Sequence, residues 1–355
     1  MPIEKHLILG SRDLTKDSKP YIIAEIGVNH EGSLEKAKEL IDLAKEGGAD
    51  AVKFQTYKAE KLASKHSPAY WDKKEEKTKS QYKLFKKYDK FGYKEYKILK
   101  KYCKKTKIKF LSTPFDSQSV DMLKKLVPFF KIASADITNL PLLRNIAKTK
   151  KPVLISTGAS EIKEIKNALS ILNKNGAKDV SIMHCILNYP TKDIDANLGM
   201  IKNLKKIFPK NIIGYSDHTL PDNNMTSLFI AYTFGAEIFE KHFTDNKNLK
   251  GNDHYHSMNY KDLSVFRKLI TKYKIKTGKL EKKPLMSELK SVKFARRSIY
   301  ANVFIPKGKK LNKFDLICKR PGTGISPLFW DKVLNMKAKA NISEDKPLKW
   351  NLLKK

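Results

Sequence analysis

The sequence predicts an α/β chain: a (β/α)8 TIM barrel followed by a small β-rich domain. Three observations lead there. Short apolar runs alternate with helical-period segments eight times in succession, which argues for a parallel sheet closed on itself and wrapped by helices. Nearly every apolar run ends on polar residues, the position at which such barrels carry their chemistry. From residue 294 onward the chain changes character, to short strand-like runs broken by Pro- and Gly-bearing turns. An open doubly wound sheet is the alternative, but it calls for a Gly-rich phosphate loop after the first strand. Gly27-Val28-Asn29-His30-Glu31-Gly32 lacks that spacing.

Taken in order, Tyr21-Ile22-Ile23-Ala24-Glu25-Ile26-Gly27 reads as a buried strand. Leu34, Ala37, Leu40, Ile41 and Ala44 then recur at helical spacing until Gly47-Gly48 stop the helix. The second strand is 51–56. A Lys- and aromatic-rich insertion, 57–93, follows it on the side where a barrel carries its lids. After a helix over 94–105 the alternation is regular. Strands are expected at 109–115, 129–136, 152–158, 180–186, 212–218 and 238–244. Their helices are expected at 117–126, 141–150, up to Asn175, 197–208, 225–234 and 260–276, with Pro141 at a first helical turn. The expected division is a barrel over 1–278, a charged linker with Pro284 over 279–293, and a β-rich domain over 294–355. That last domain is below the size that easily holds itself together.

Composition excludes several classes. Lys and Arg number 72 against 37 Asp and Glu, a net charge of +35, which attracts anions. The excess is scattered along helices, as at Lys97, Lys100, Lys101, Lys104 and Lys105, which describes a solvated face. No nucleic-acid module accompanies it, so nucleic acid is not expected as a partner. Cys103, Cys185 and Cys318 form no CxxC pair and no disulfide framework, in keeping with a reducing cytoplasm. Glu4 and Lys5 interrupt the N-terminus, so no signal peptide is evident, and no apolar run approaches a membrane span. The expected location is the cytoplasm.

The strand ends offer Glu25, then Lys53 and Gln55, Ser112 and Thr113, then Lys131, Ser134 and Asp136. Ser156 and Thr157, Asn188 and Tyr189, Ser216 and His218, and Glu240 and His242 complete the ring. Ser216 and His218 share strand parity, as do Glu240 and His242, so each pair points to one side. Two histidines on neighbouring strand ends can hold one divalent metal and leave positions open for substrate. Taken alone, the two histidines read better as satisfied polar residues under loops; the ring around the mouth is what reverses this and favours a site. Lys53 and Lys131 with the hydroxyls form an anion cradle, suited to a phosphate and a carboxylate on one small molecule.

Several motifs carry a family resemblance. They are Ile23-Ala24-Glu25-Ile26-Gly27-Val28-Asn29-His30, Lys53-Phe54-Gln55-Thr56, Ser112-Thr113-Pro114-Phe115, Lys131-Ile132-Ala133-Ser134, Ser156-Thr157-Gly158, Tyr215-Ser216-Asp217-His218-Thr219 and Glu240-Lys241-His242-Phe243. In this order they resemble sialic acid synthase and its relatives, the bacterial synthases of N-acetylneuraminate, legionaminate and pseudaminate. The tail, with Ala295-Arg296-Arg297-Ser298 and Lys319-Arg320-Pro321-Gly322-Thr323-Gly324, resembles the antifreeze-like (SAF) domain of that family.

The resemblance implies condensation of phosphoenolpyruvate with an open-chain N-acetylated hexosamine aldehyde, with release of phosphate. N-acetylneuraminate synthase is the first expectation, legionaminate or pseudaminate synthase the alternative. A related synthase acting on a phosphorylated sugar comes last, because it is not expected to carry this tail. His218 and His242 match metal ligands, for Mn2+ or Mg2+, and Glu25 matches an essential acid. Lys53, Thr113, Lys131, Ser134, Ser156 and Ser216 match positions that bind phosphoenolpyruvate. Gln55, Tyr189 and Asp253 match the sugar side. Arg320 matches a tail residue reaching the sugar in the partner's barrel, which implies a domain-swapped homodimer. Two departures fall where the sugar or phosphate would lie. Ser134-Ala135-Asp136 stands where the family commonly has Ser-Gly-Glu, and Leu187 precedes Asn188 where an Asn is common two residues before the Tyr.

Overall fold

The computed structural model describes residues 8–9, 12–14, 19–71, 73, 76–251 and 253–355. It divides into two units, one ending at Lys276 and the other spanning Thr277–Lys355. In the first unit eight strands alternate with helices: β1 (Tyr21–Gly27), β2 (Ala51–Thr56), β3 (Lys109–Pro114), β4 (Phe130–Ile132), β5 (Val153–Ser156), β6 (Val180–Cys185), β7 (Ile213–Asp217) and β8 (Ile238–His242). The helices are α1 (Leu34–Gly47), α2 (Tyr93–Lys105), α3 (Ser117–Leu123), α4 (Leu140–Lys148), α5 (Ile162–Lys174), α6 (Met200–Ile207), α7 (Thr226–Thr233) and α8 (Tyr260–Thr277). The strands pair in parallel with their chain neighbours and β1 pairs with β8; the exception is β3 and β4, which pack side by side without pairing. The ring the sequence predicts is therefore the fold.

Local chemistry explains the boundaries. Ser33 caps α1, its Oγ accepting from Lys36 N at 3.2 Å. Gly48 ends that helix at φ 95°, a left-handed conformation that costs glycine little. The fourth strand is shorter than the sequence suggests, because Ser134–Asp136 turn into a single 3-10 helix. Asp136 Oδ1 there accepts from Asn139 Nδ2 at 3.0 Å.

Parity sorts the ends of β7 and β8. Phe239 points outward and packs its ring 5.0 Å from Phe266 of α8. Lys241 and Asp217, register partners on neighbouring strands, form a buried ion pair at 2.8 Å. Lys241 also donates to Thr219 O at 2.6 Å, and Asp217 accepts from Tyr215 Oη at 2.8 Å. That pair locks the register that sets His218 and His242 side by side. Among the described residues no helix is long and apolar enough to cross a membrane.

The second unit pairs β9 (Ser298–Ala301) with β10 (Leu316–Lys319) and β11 (Lys337–Ala338) with β12 (Leu353–Lys354), all antiparallel. It has an apolar core of its own, in which Ile299, Ile305, Leu316, Val333, Ile342 and Leu348 are buried. The charged segment expected as a linker is partly helical, with a 3-10 turn at Met286–Glu288 and a helix at Leu289–Phe294. The exposed Lys of that segment hid the helical signal from a reading based on apolar spacing.

Candidate active site

The C-terminal strand ends open onto one cavity of about 520 Å3. On one side Lys53 Nζ lies 2.7 Å from Glu25 Oε2, donates to Thr113 Oγ1 at 2.8 Å, and stands 3.6 Å from Glu240 Oε1. Lys131 Nζ approaches the same Glu240 oxygen to 3.4 Å, and Ser216 Oγ donates to it at 3.2 Å. Two buried ammonium groups thus share one buried carboxylate. Burial pushes the Glu25 carboxyl up in pKa, against the pull of Lys53. Burial would raise Glu240 as well, but Lys131 and Lys53 outweigh it and hold it down to about 2. The two carboxyl groups are thus shifted in opposite directions, the pattern by which neighbouring carboxyls take different roles.

Neutral donors surround this pair. Ser134 Oγ accepts from Gly158 N at 2.9 Å, which leaves its own O–H to donate. Ser156 Oγ, buried, has no hydrogen-bond partner among the described residues. Gln55 Nε2 donates to Glu25 Oε1 at 3.1 Å. Gly27 makes room for that contact: at φ +54° a Cβ there would stand 3.2 Å from Gln55 Nε2 and 3.3 Å from Glu25 Oε1.

The opposite side is built of imidazoles. The His218 and His242 ring centroids are 5.7 Å apart, with the Tyr189 ring 4.1 Å from His218. His218 Nδ1 is 2.7 Å from Ile186 O, which fixes the proton on Nδ1 and leaves the Nε2 lone pair free. Burial, with His242 nearby, pushes His218 down to about 3, so the ring is neutral. His242 Nδ1 is 3.3 Å from Asp253 Oδ2. Buried His242, Asp253 and His256 each bring one ligand atom within 4.8 Å of the others. A divalent ion fits this donor set: His242 Nδ1 and both His256 ring nitrogens are buried without a hydrogen bond, and such atoms are what an ion satisfies.

The long insertion supplies the mouth. Tyr57, Leu62, Tyr70, Leu84, Phe85 and Tyr88 line the cavity, three of them from the helix Gln81–Tyr88. Tyr57 and Phe85 meet edge to face at 5.4 Å. Among the lining residues the Lys and Arg side chains are Lys53 and Lys131 alone.

Of the residues expected from the sequence, Glu25, Lys53, Gln55, Thr113, Lys131, Ser134, Asp136, Ser156, Tyr189, Ser216, His218, His242 and Asp253 all line this cavity. Asn188 does not. It is exposed, its carbonyl accepts from Thr191 Oγ1 at 3.0 Å, and Leu187 takes the lining position. The chain leaves β6 at Cys185, so strand parity no longer says where residue 188 points. Arg320 belongs to the second unit, where it is exposed. Sequence reasoning missed the shared counter-ion role of Glu240, the aromatic lining from the insertion, and His256. The His254-Tyr255-His256 pattern shortly after the last strand was the available signal for the last.

Comparison with known proteins follows the same geometry. Residues 40–282 match the NeuB family and residues 296–354 match the SAF domain. A protein of Methanocaldococcus jannaschii without an assigned function is 42% identical over 348 residues, covering 97% of each chain. The N,N'-diacetyllegionaminic acid synthase of Campylobacter jejuni is 40% identical, covering 92% of this chain and 98% of that one. The crystal structure of an N-acetylneuraminic acid synthetase from Leptospira borgpetersenii in complex with citrate superposes with a TM-score of 0.71 at 34% identity. It covers 81% of this chain and 95% of that chain.

Proposed function

This chain belongs to the NeuB family of sialic acid synthases, with a SAF domain at its tail, and on that premise we propose that it condenses phosphoenolpyruvate with an open-chain, unphosphorylated N-acetylated hexosamine. C3 of phosphoenolpyruvate forms a bond to the aldehyde carbon, water adds at C2, and phosphate leaves as the 2-keto acid forms. The observation that carries this reading is the pair of buried lysines sharing Glu240 on one side of a cavity whose other side holds His218 and His242.

Each residue then has a task. Lys53 and Lys131 hold the phosphate and carboxylate, with Ser134, Ser156 and Ser216 donating O–H groups and Thr113 orienting Lys53. Glu25, whose pKa burial raises against the pull of Lys53, is the acid placed to pass a proton to the oxygen that develops charge, and Gln55 holds it in place. His242 and Asp253, with His218 as the family resemblance implies, are the residues that would hold a divalent ion. Such an ion polarises the aldehyde carbonyl when bound. Tyr189 and the insertion wall pack the sugar, and Asp136, reaching the cavity from the 3-10 turn, meets its polar end.

The lining supports one class of acceptor. Lys53 and Lys131 both face Glu240, and among the described lining residues there is no further Lys or Arg to meet an acceptor phosphate. The wall of Tyr57, Leu62, Tyr70 and Phe85 suits acetamido methyl groups, which favours a diacetamido-hexose over N-acetylmannosamine. The activity of the Campylobacter relative supports the same choice. Family resemblance supports a swapped homodimer, in which Arg320 of one protomer serves the barrel of the other.

A phosphate-release assay with phosphoenolpyruvate against N-acetylmannosamine, its 6-phosphate and diacetamido-hexoses tests the proposal. Release with a diacetamido acceptor, lost on chelation and restored by Mn2+, is the expected result. Full activity after metal stripping, or a preference for the phosphorylated acceptor, refutes it.

A further inference from the structure

We propose that His256 is itself a ligand of the divalent ion, a third imidazole beside His218 and His242 with the Asp253 carboxylate among them. The inference rests on the metal-dependent reading above. The backbone dictates where His256 lies. After β8 the chain loops out and returns, Met258 N donating to His242 O at 2.8 Å and Thr244 N donating to Met258 O at 3.0 Å. Asn29 pins the return, its Nδ2 donating to Phe243 O at 3.0 Å and to Ser257 Oγ at 3.2 Å. The residue before Ser257 is thereby set against the end of β8, and its ring centroid stands 4.9 Å from that of His242.

The other buried imidazoles show why this one calls for a ligand. His30 Nδ1 accepts from Gly32 N at 3.0 Å, His184 Nε2 pairs with Ala196 O at 2.9 Å, and His254 Nδ1 pairs with Thr244 Oγ1 at 2.8 Å. His256 is fully buried, and among the described residues neither of its nitrogens makes a hydrogen bond. Its nearest charged neighbour is Asp253 Oδ1, 3.8 Å from Nε2 and beyond hydrogen-bond reach. The other oxygen of that carboxylate faces His242 Nδ1 at 3.3 Å. One carboxylate standing between two imidazoles, one of them otherwise unsatisfied, is a ligand set. Its nitrogen content favours Mn2+, Fe2+, Co2+ or Zn2+ over Mg2+, which prefers oxygen.

Cobalt(II) titration of the full chain tests this by absorption spectroscopy and calorimetry, on the wild type, His256→Ala and His256→Cys. Loss of a ligand should weaken Co2+ binding at least tenfold in His256→Ala, but loss of a residue that merely orients a ligand can do the same. The cysteine variant decides. Direct coordination gives a thiolate-to-cobalt charge-transfer band in the near ultraviolet that the wild type lacks. A weakened site without that band makes His256 a positioning residue and overturns the ligand assignment. Should the variants fail to fold, nitrogen couplings to Mn2+ in the wild type, counted by pulsed electron paramagnetic resonance, answer the question. Three support the proposal and two overturn it. A wild-type chain that binds neither ion overturns the metal-dependent reading along with it, whereas tight binding with unchanged spectra in every variant removes His256 alone.

Discussion

Replacing Lys131 by Met removes one ammonium from the anion side and keeps its apolar stem. Among the described residues Lys131 has one close charged partner, Glu240 at 3.4 Å. Glu240 keeps Lys53 at 3.6 Å and Ser216 at 3.2 Å, so it stays ionised at neutral pH although its pKa rises from about 2. The protein should therefore fold. What is lost is one charge-assisted contact to phosphoenolpyruvate, about 1.5–3 kcal/mol, or roughly 10- to 150-fold in its apparent affinity. Lys53→Met is the less clean experiment. It leaves Glu25 and Glu240 facing one another without the cation between them, and breaking a buried ion pair costs about 3–5 kcal/mol. Steady-state phosphate release, with each substrate varied at saturation of the other, measures the effect. KM for phosphoenolpyruvate should rise in Lys131→Met while KM for the acceptor stays within about threefold, far below the contact energy estimated above. An acceptor KM that rose as much as that of phosphoenolpyruvate would refute the division of the cavity into an anion side and a sugar side.

Three further outcomes are expected. Burial alone would raise the pKa of Asp217, but Lys241 and the Thr219 hydrogen bonds outweigh it, so the folded value lies below the unfolded one. The pair's contribution is then complete above roughly pH 4 and disappears as pH falls through the folded value. Asp217→Asn should cost about 3–5 kcal/mol at pH 7 by stranding buried Lys241, and the gap to wild type should narrow in acid. Urea denaturation across that range checks it, and a gap independent of pH contradicts it. Phe85→Ala removes half-buried apolar lining worth about 1–2 kcal/mol, so the acceptor KM should rise roughly 5- to 30-fold with that of phosphoenolpyruvate unchanged; an equal rise in both would count against the wall. Mixing inactive His242→Ala and Arg320→Ala chains under subunit exchange should restore activity, because a swapped pair contains one complete site. Exchange shown by a tag without regained activity would rule out the swap.

The barrel was legible because its signals are local and periodic. The bounds of β1 and β2 read from the sequence coincide with the structure, and the helices differ from it by a few residues at their ends. Of the thirteen expected site residues that line the cavity, Glu25, Lys53, Gln55, Thr113, Lys131, Ser156, Ser216 and His242 lie on strands, where parity carries a polar side chain to the interior as surely as it carries an apolar one to the core. Legibility stopped where periodicity stopped. Asn188 lies three residues beyond β6, where no rule fixes direction. The insertion's Tyr57, Tyr70 and Phe85 reach the mouth through tertiary packing that residues 57–93 do not encode by spacing. His256 depends on a returning loop whose hydrogen bonds, from Met258 to His242 and from Asn29 to Ser257, join positions far apart in the chain. Glu240 was visible as a strand-end residue, but its tie to both lysines exists only once β2, β4 and β8 share one interior.

The pairing of β1 with β8 also has a consequence for how the protein is made. Ile238 emerges from the ribosome about 210 residues after Gly27, a delay of roughly 10–40 s at ordinary synthesis rates. Throughout that interval the Tyr21-Ile22-Ile23-Ala24 edge can find β2 on one flank and nothing native on the other. It is an apolar, β-prone edge of the kind that recruits other chains. Glu25 and His242, partners in that last-formed register, sit on opposite sides of the seam. The cavity that joins them cannot therefore exist on an unclosed sheet, and it forms only at the moment the aggregation-prone edge disappears.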